Sequence, residues 1–316
     1  DQASKALASG DLPKVFSPNI WFEINGAGDV LINIVRAEMG QHVGTSLAQI
    51  VADELGADWS KVSFKHVDTD PKWGVMVTGG SWSVHTSFTL LSQAGAAGRT
   101  IIIDAASKLM GVPAESCSAE RGVVTSGDQS LTFAEIISNG DFSRVISEEE
   151  LAAMPVKAPA ERTVIGRDLR NLDVAAKSEG SAVYGLDAEL PGMAYAMPLL
   201  PPTRYGSKVN GIDESATKTI PGYIGAIEIN DPSQTVQGHV VVAAETMAAV
   251  LKAARAVSVD WTPGPTASVT EAAILAEGVR LAADPEAGAL FVNEGDVGSA
   301  KANAASTMSA TYTTGT

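Results

Sequence analysis

A chain of 316 residues is long enough for two domains of roughly 150 residues, each burying its own core. Its 22 lysines and arginines stand against 37 aspartates and glutamates, a net charge of −15 that would repel a phosphate backbone and excludes nucleic acid as a natural partner. With 45% hydrophobic and 19% charged residues the chain is too apolar for disorder and reads as a globular α/β or α+β protein.

The sequence opens Asp1-Gln2-Ala3 without a methionine, which suggests an upstream segment removed by processing, a secretory leader being one candidate. After a polar lead, Ile20 to Ile24 and Val30 to Val35 read as strands joined across Asn25-Gly26-Ala27-Gly28. This ribbon delivers the chain to Glu38-Met39-Gly40-Gln41. Apolar residues then recur at helical spacing from Thr45 to Leu55, and Gly56 closes the run as a C-terminal cap. Val62 to Val67 alternates like a strand. Thr78-Gly79-Gly80-Ser81 then precedes a second, longer helix from about Val84 to Met110. Ala94, Gly95, Ala96, Ala97 and Gly98 inside that helix lower its propensity but let another backbone approach closely.

Gly122-Val123-Val124 and Ser130 to Phe133 form a short hairpin, and Thr132 can cap a helix through Ile137. The first domain therefore spans residues 1–147. Residues 148–176 mix charges with Pro155 and Pro159, lack a sustained period, and read as a connector crossing the surface. From 177 to 265 come strands at Met193 to Leu199, Tyr223 to Ile229, His239 to Ala244 and Val257 to Trp261, with a helix over Thr246 to Ala256, a compact mixed module. Residues 266–316 hold a helical piece around Glu271 to Ala283 and a final strand over Ser309 to Thr313. No apolar run approaches the ~20 residues of a membrane span.

The two loop-to-helix junctions are the features that point to chemistry. Helix N-termini offer unpaired N–H groups and partial positive charge to anions, and glycines there let a ligand reach the backbone. At Gly40-Gln41-His42 the glutamine adds an amide that both donates and accepts; at Thr78-Gly79-Gly80-Ser81-Trp82-Ser83 two glycines and three hydroxyls can surround a phosphate. Each pattern is also what an ordinary turn and cap look like. The four histidines, His42, His66, His85 and His239, lack metal-ligand spacing. Ser81 is not in a nucleophile elbow, and Glu38 reads as a turn-stabilising or salt-bridging residue. The lone Cys117 excludes a disulfide, a zinc site or an iron-sulfur cluster built from this chain's cysteines.

Glu38-Met39-Gly40-Gln41, followed by Thr45 to Leu55, resembles the pterin-binding segment of the large subunit in the xanthine dehydrogenase family of molybdenum hydroxylases. Thr78 to Ser83 resembles the second cofactor loop of that family. These motifs lie ahead of Gly180 to Gly185 and Leu190 to Ala196, an order similar to that of isoquinoline 1-oxidoreductase large subunits and bacterial membrane-associated aldehyde dehydrogenases. Pro201-Pro202 and Ala248 to Trp261 are similar to the α/β hammerhead domain of the family.

The resemblance implies an α+β fold: part of a molybdopterin-binding domain over 1–147, a connector over 148–176, a hammerhead domain over 177–265, and the truncated start of a further molybdopterin-binding region over 266–316. It implies a molybdenum-pyranopterin in its cytosine dinucleotide form, contacted by Gly40, Gln41, His42, Thr78, Gly79, Gly80, Ser81, Trp82 and Ser83. The family usually has glycine where His42 stands. The catalytic glutamate of the family belongs to a Gly-x-Gly-Glu segment that these residues lack, so competence is expected to need a C-terminal remainder of the large subunit. Oxidation of an N-heteroaromatic compound or an aldehyde with water is implied, with electrons passing to two-iron two-sulfur clusters on a small partner subunit and on to a cytochrome c or another acceptor. The implied location is periplasmic, at the membrane through a partner, with the cytoplasm left open. Two other readings stand beside this one: a non-catalytic scaffold subunit of the same fold, and an unrelated module that binds a phosphate ligand.

Overall fold

Alternation of apolar and polar residues organises the first sheet. In the computed structural model, which describes residues 15–233, 235, 237–284, 286–292 and 294–315, β1 (Val15–Asn19), β2 (Phe22–Asn25) and β3 (Val30–Ile34) form an antiparallel ribbon. Phe22, Ile24, Val30, Ile32 and Ile34 point to one buried face, as a two-residue period requires. The chain then crosses through α1 (Val43–Leu55) to β4 (Val62–His66), which pairs parallel with β3 at the sheet edge. Strand β1 lies in what the sequence presents as a polar lead; pairing with β2 at Phe16 and Ile24 supplies the order that its own pattern does not.

The 29-residue helix α2 (Trp82–Met110) packs along α1. Its small-residue stretch is the contact: a Cβ on Gly95 would stand 2.8 Å from the Val51 carbonyl oxygen, and one on Gly98 would stand 2.4 Å from Phe22 Cζ. Gly95 thus lies against the backbone of α1 and Gly98 against a side chain of β2, with no room for a methyl group at either. Beyond α2, β5 (Ser118–Glu120), β6 (Val123–Ser126) and β7 (Gln129–Thr132) form a small antiparallel sheet. Thr132 and Glu135 close a reciprocal capping box that starts α3 (Phe133–Asn139).

The segment that reads as a connector is bound to the core. It begins with α4 (Glu148–Ala152), capped by Ser147, so the run Glu148-Glu149-Glu150 occupies a helix first turn where negative charge is favoured. Met154 and Val164 are buried. Asp53, fully buried at the end of α1, accepts N–H bonds from Thr163, Val164 and Ile165 and pairs with the Lys157 ammonium at 3.2 Å. Helix α5 (Val174–Glu179) follows.

The chain divides into two compact units, residues 1–184 and 185–316. In the second, β8 (Tyr195–Leu199), β10 (Tyr223–Glu228) and β11 (Val240–Ala244) form an antiparallel sheet in the order β10-β11-β8, while β9 (Lys208–Asp213) pairs with β12 (Ser258–Thr262). Helix α6 (Met247–Ala256), capped by Thr246, buries Val250 and Ala253 against this sheet. Strand β9 is not signalled by alternation because Asn210 and Gly211 interrupt it; its pairing with β12 orders it. Helices α7 (Glu271–Ala282) and α8 (Val297–Ala302) complete the unit. The strand expected over Ser309 to Thr313 is absent: a strand needs a ladder, and no partner pairs with those residues among the described ones. Among the described residues, no helix is long and apolar enough to cross a membrane.

Candidate functional site

Both predicted junctions have the same unusual geometry. His42, at the N-cap of α1, has φ 58° and ψ 33°; Ser81, at the N-cap of α2, has φ 60° and ψ 26°. Neither makes a side-chain capping bond, whereas Thr132, Ser147, Thr246, Thr270 and Asp296 cap α3, α4, α6, α7 and α8. The two longest helices of the first unit therefore begin with first-turn N–H groups that no capping side chain covers.

The two junctions meet at one cleft of about 320 Å³, lined by Gln41, Ser46, Thr78, Gly79, Ser81 and Ser83 with Met39, Val43 and Val84. They are tied together on the protein side. The Ala37 N–H donates to Thr78 Oγ1 at 2.8 Å, and the Arg36 guanidinium donates to the carbonyls of Val75 and Val77 and to Thr86 Oγ1. One arginine and one hydroxyl thus fix the second loop against the end of β3. A Cβ on Gly79 would meet nothing within 4 Å, so this backbone borders open space.

Of the nine residues singled out from sequence, Gln41, Thr78, Gly79, Ser81 and Ser83 line the cleft, whereas Gly40, His42, Gly80 and Trp82 shape the loops around it. Gly40 and Gly80 adopt φ values of 94° and 57°, which glycine tolerates. Trp82 is 58% exposed, and its Nε1 lies 3.2 Å from where a Gly80 Cβ would be. His42 turns aside, with Nδ1 3.6 Å from an Asp173 carboxylate oxygen. The Gln41 amide braces its own loop: its nitrogen donates to the Ala37 carbonyl at 2.9 Å, and its oxygen accepts the Met39 N–H at 2.6 Å. One amide hydrogen and one lone pair of Gln41 remain for a ligand.

Glu38 is the turn-stabilising residue that the sequence suggests. One carboxylate oxygen accepts the N–H groups of Gly40 at 2.7 Å and His42 at 3.1 Å, and it lies 3.0 Å from the Lys177 ammonium. Burial opposes its ionisation, but Lys177 and the two N–H donors outweigh that effect and hold the carboxyl below its ordinary range. Glu38, His42 and Asp173 bring ligand atoms within 4.8 Å of one another, a spacing that could suit a metal. The Lys177 ammonium pairs with both carboxylates and supplies the positive charge there.

The molybdopterin cofactor-binding domain family matches residues 7–163, which include both junctions. Over 299 residues the chain is 45% identical to a membrane-bound aldehyde dehydrogenase [pyrroloquinoline-quinone] of Gluconacetobacter polyoxogenes, a match covering 94% of this chain and 39% of that protein. It is 28% identical over 243 residues to the beta chain of isoquinoline 1-oxidoreductase from Brevundimonas diminuta, covering 65% of this chain and 31% of that protein. It is also 28% identical over 321 residues to a component of nicotinate dehydrogenase from Pseudomonas putida, covering 98% of this chain and 26% of that protein. The chain belongs to the molybdenum hydroxylase family. It spans less than two-fifths of the length of each of these relatives.

The residues of this molybdenum hydroxylase chain fit the group its matched domain binds. Two uncapped helix N-termini, the hydroxyls of Thr78, Ser81 and Ser83, and the open backbone at Gly79 form a donor-rich cradle suited to an anionic, heteroatom-rich ligand, with the Ser46 hydroxyl, which donates to the His42 carbonyl, as an acceptor. Sequence reasoning missed Arg36, Ala37, Asp173 and Lys177, which hold the cradle from outside. Arg36 and Ala37 adjoin the first motif and act through the second, whereas Asp173 and Lys177 lie more than 130 positions from Glu38, beyond the matched domain. A charged pair at helical i, i+4 spacing is the only local signal Asp173 and Lys177 carry.

Proposed function

We propose that this chain is the cofactor-loop segment of a molybdenum hydroxylase large subunit, whose complete assembly oxidises an N-heteroaromatic compound or an aldehyde. The observation that carries the reading is the meeting of two uncapped helix N-termini at one hydroxyl-lined cleft. The bound molybdenum-pyranopterin, in its cytosine dinucleotide form, supplies two-electron oxidation with water as the oxygen source. The first-turn N–H groups of α1 and α2 hold its anionic and polar atoms, the Trp82 N–H excepted, which donates to the Gly79 carbonyl at 3.1 Å. Ser81 and Ser83 donate from the second loop, and the free hydrogen and lone pair of Gln41 read its edge from the first.

Competence requires the C-terminal remainder, which brings the base glutamate and most of the substrate pocket. The second unit supplies the hammerhead domain. Electrons pass to two-iron two-sulfur clusters on a small subunit and on to a cytochrome c or comparable acceptor; these 316 residues, with Cys117 alone, hold no cysteine cluster of their own. A periplasmic location, at the membrane through a partner, accords with the membrane-bound name of one relative.

The test is elemental and nucleotide analysis of the purified assembly. Stoichiometric molybdenum with acid-releasable cytosine nucleotide supports the reading. The aldehyde dehydrogenase relative carries pyrroloquinoline-quinone in its name, so a quinone spectrum without molybdenum would overturn it. Gln41→Ala and Gly80→Val should lower molybdenum content and turnover while far-UV circular dichroism stays unchanged; normal content in both variants would remove these loops from the site.

A further inference from the structure

The first loop does not hold itself. Its curl from Glu38 to His42 is organised around a single carboxylate oxygen, Glu38 Oε1, which gathers the Gly40 and His42 N–H groups. That oxygen is largely withdrawn from water, so the curl depends on the cation that stabilises it. The cation is the Lys177 ammonium, 3.0 Å away, and Lys177 is in turn held by Asp173, four residues earlier at the N-cap of α5. The same Asp173 carboxylate faces the His42 imidazole through its other oxygen at 3.6 Å. A second tether lies beside the first: the Leu172 N–H donates to Thr45 Oγ1 at 3.0 Å, inside the first turn of α1. The segment 172–177 therefore grips the junction on both sides, at the loop and at the helix it feeds.

We propose that Asp173 and Lys177, both outside the matched cofactor-binding domain, are positioning residues for the cofactor loop: they fix Gly40, Gln41 and His42 in the conformation that presents Gln41 and the α1 N-terminus to the cleft. The proposal rests on the reading of this loop as part of the molybdopterin site. Charge arithmetic supports it. Two carboxylates and one ammonium share a small space, and loss of the ammonium leaves two like charges and an imidazole with nothing between them. The carboxylates would then separate, and the loop would lose the oxygen around which it is wound.

The experiment uses the full-length subunit assembled with its partners, in buffer containing EDTA so that no free cation takes the ammonium's place. Hydrogen exchange of the peptide covering Glu38 to Val43 and molybdenum content are measured for Lys177→Met, Asp173→Asn and Lys177→Arg. Lys177→Met should speed exchange in that peptide by about tenfold, the scale of one lost charge-assisted contact, and should lower molybdenum content several-fold. Asp173→Asn should do both to a smaller degree and gives a second reading if Lys177→Met does not accumulate as folded protein. Lys177→Arg, which keeps the charge, should restore both. Unchanged exchange in both Lys177→Met and Asp173→Asn would overturn the proposal whatever the molybdenum content. Faster exchange with full molybdenum content would uphold the brace and overturn the cofactor reading of the loop, so the two ideas fail separately.

Discussion

Three non-glycine residues lie in the left-handed region among the described positions: His42, Ser81 and Arg121. Arg121 has an ordinary reason, since with Gly122 it forms the two-residue turn joining β5 to β6, where both central positions need positive φ. Ser81 likewise follows Gly80 in a two-residue turn, closed by the Trp82 N–H on the Gly79 carbonyl at 3.1 Å, whereas His42 follows no such pair; both begin helices at the cleft. A left-handed conformation costs an L-residue about 1–2 kcal/mol, part of which glycine recovers and part of which its greater freedom in the unfolded chain offsets. Ser81→Gly should therefore raise the stability of the first unit by up to about 1 kcal/mol while molybdenum retention falls, because the hydroxyl is lost. A thermal melt paired with metal analysis checks both halves; a lowered melting temperature would show that the conformation carries no strain. Gly44 offers a contrasting case inside α1. A Cβ there would stand 2.4 Å from Phe64 Cζ, so Gly44→Ala should destabilise by about 1–3 kcal/mol through overpacking between α1 and β4.

At the scale of elements, the cleft depends on how α1 is anchored at its far end. Burial opposes the ionisation of Asp53, but the N–H groups of Ile165, Val164 and Thr163 and the Lys157 ammonium outweigh it and hold the carboxyl below its usual 3.8. In neighbouring Glu54 burial dominates, and despite the Lys157 N–H and Arg99 its carboxyl lies above the usual 4.5. A carboxyl depressed in the folded state contributes stability above its unfolded value, and that stability is lost as pH falls through its folded value. A raised carboxyl acts in the opposite sense, favouring the folded state as pH falls through its native value toward 4.5. The urea midpoint of the first unit should rise on acidification toward about pH 4.5 and fall below about pH 3.8. Glu54→Gln should flatten the first limb. Asp53→Asn should flatten the second and cost about 3–5 kcal/mol at neutral pH, because Lys157 loses its buried partner. Unchanged limbs in both variants would discard the assignment. This anchor also marks the limit of what the sequence discloses. Helices α1 and α2, the Gly56 cap and the Thr132 cap are legible because periodicity and capping chemistry are local. Segment 157–165 is not, since Asp53 takes its backbone from more than 100 positions away and no local pattern encodes that. The same reason hides Asp173 and Lys177 while leaving Gln41, Gly79 and Ser81 visible within their motifs.

Across the whole molecule, the two units differ in the core each has buried. The first packs Phe22, Ile24, Ile32, Leu47, Leu55, Ile102, Phe133 and Ile136 into one cluster between its sheets and helices. The second has a small cluster of Val242, Ala244, Ala249, Val250, Ala253 and Val257, and its helices α7 and α8 bury nothing. Stability follows the apolar area withdrawn from water, and a small core leaves little margin over chain entropy. The second unit should therefore unfold at lower urea than the first, giving two transitions for a chain of this length. The tryptophans separate them. Trp21, Trp59, Trp73 and Trp82 belong to the first unit, and only Trp261 belongs to the second, on β12 with its Nε1–H donating to the Gly238 carbonyl at 2.8 Å. In Trp261→Phe the low-urea fluorescence change should vanish while the low-urea step in far-UV circular dichroism and the high-urea fluorescence step both remain. A single step shared by the two probes, with or without Trp261, would show that the small core is not the weaker one and that both units unfold as one.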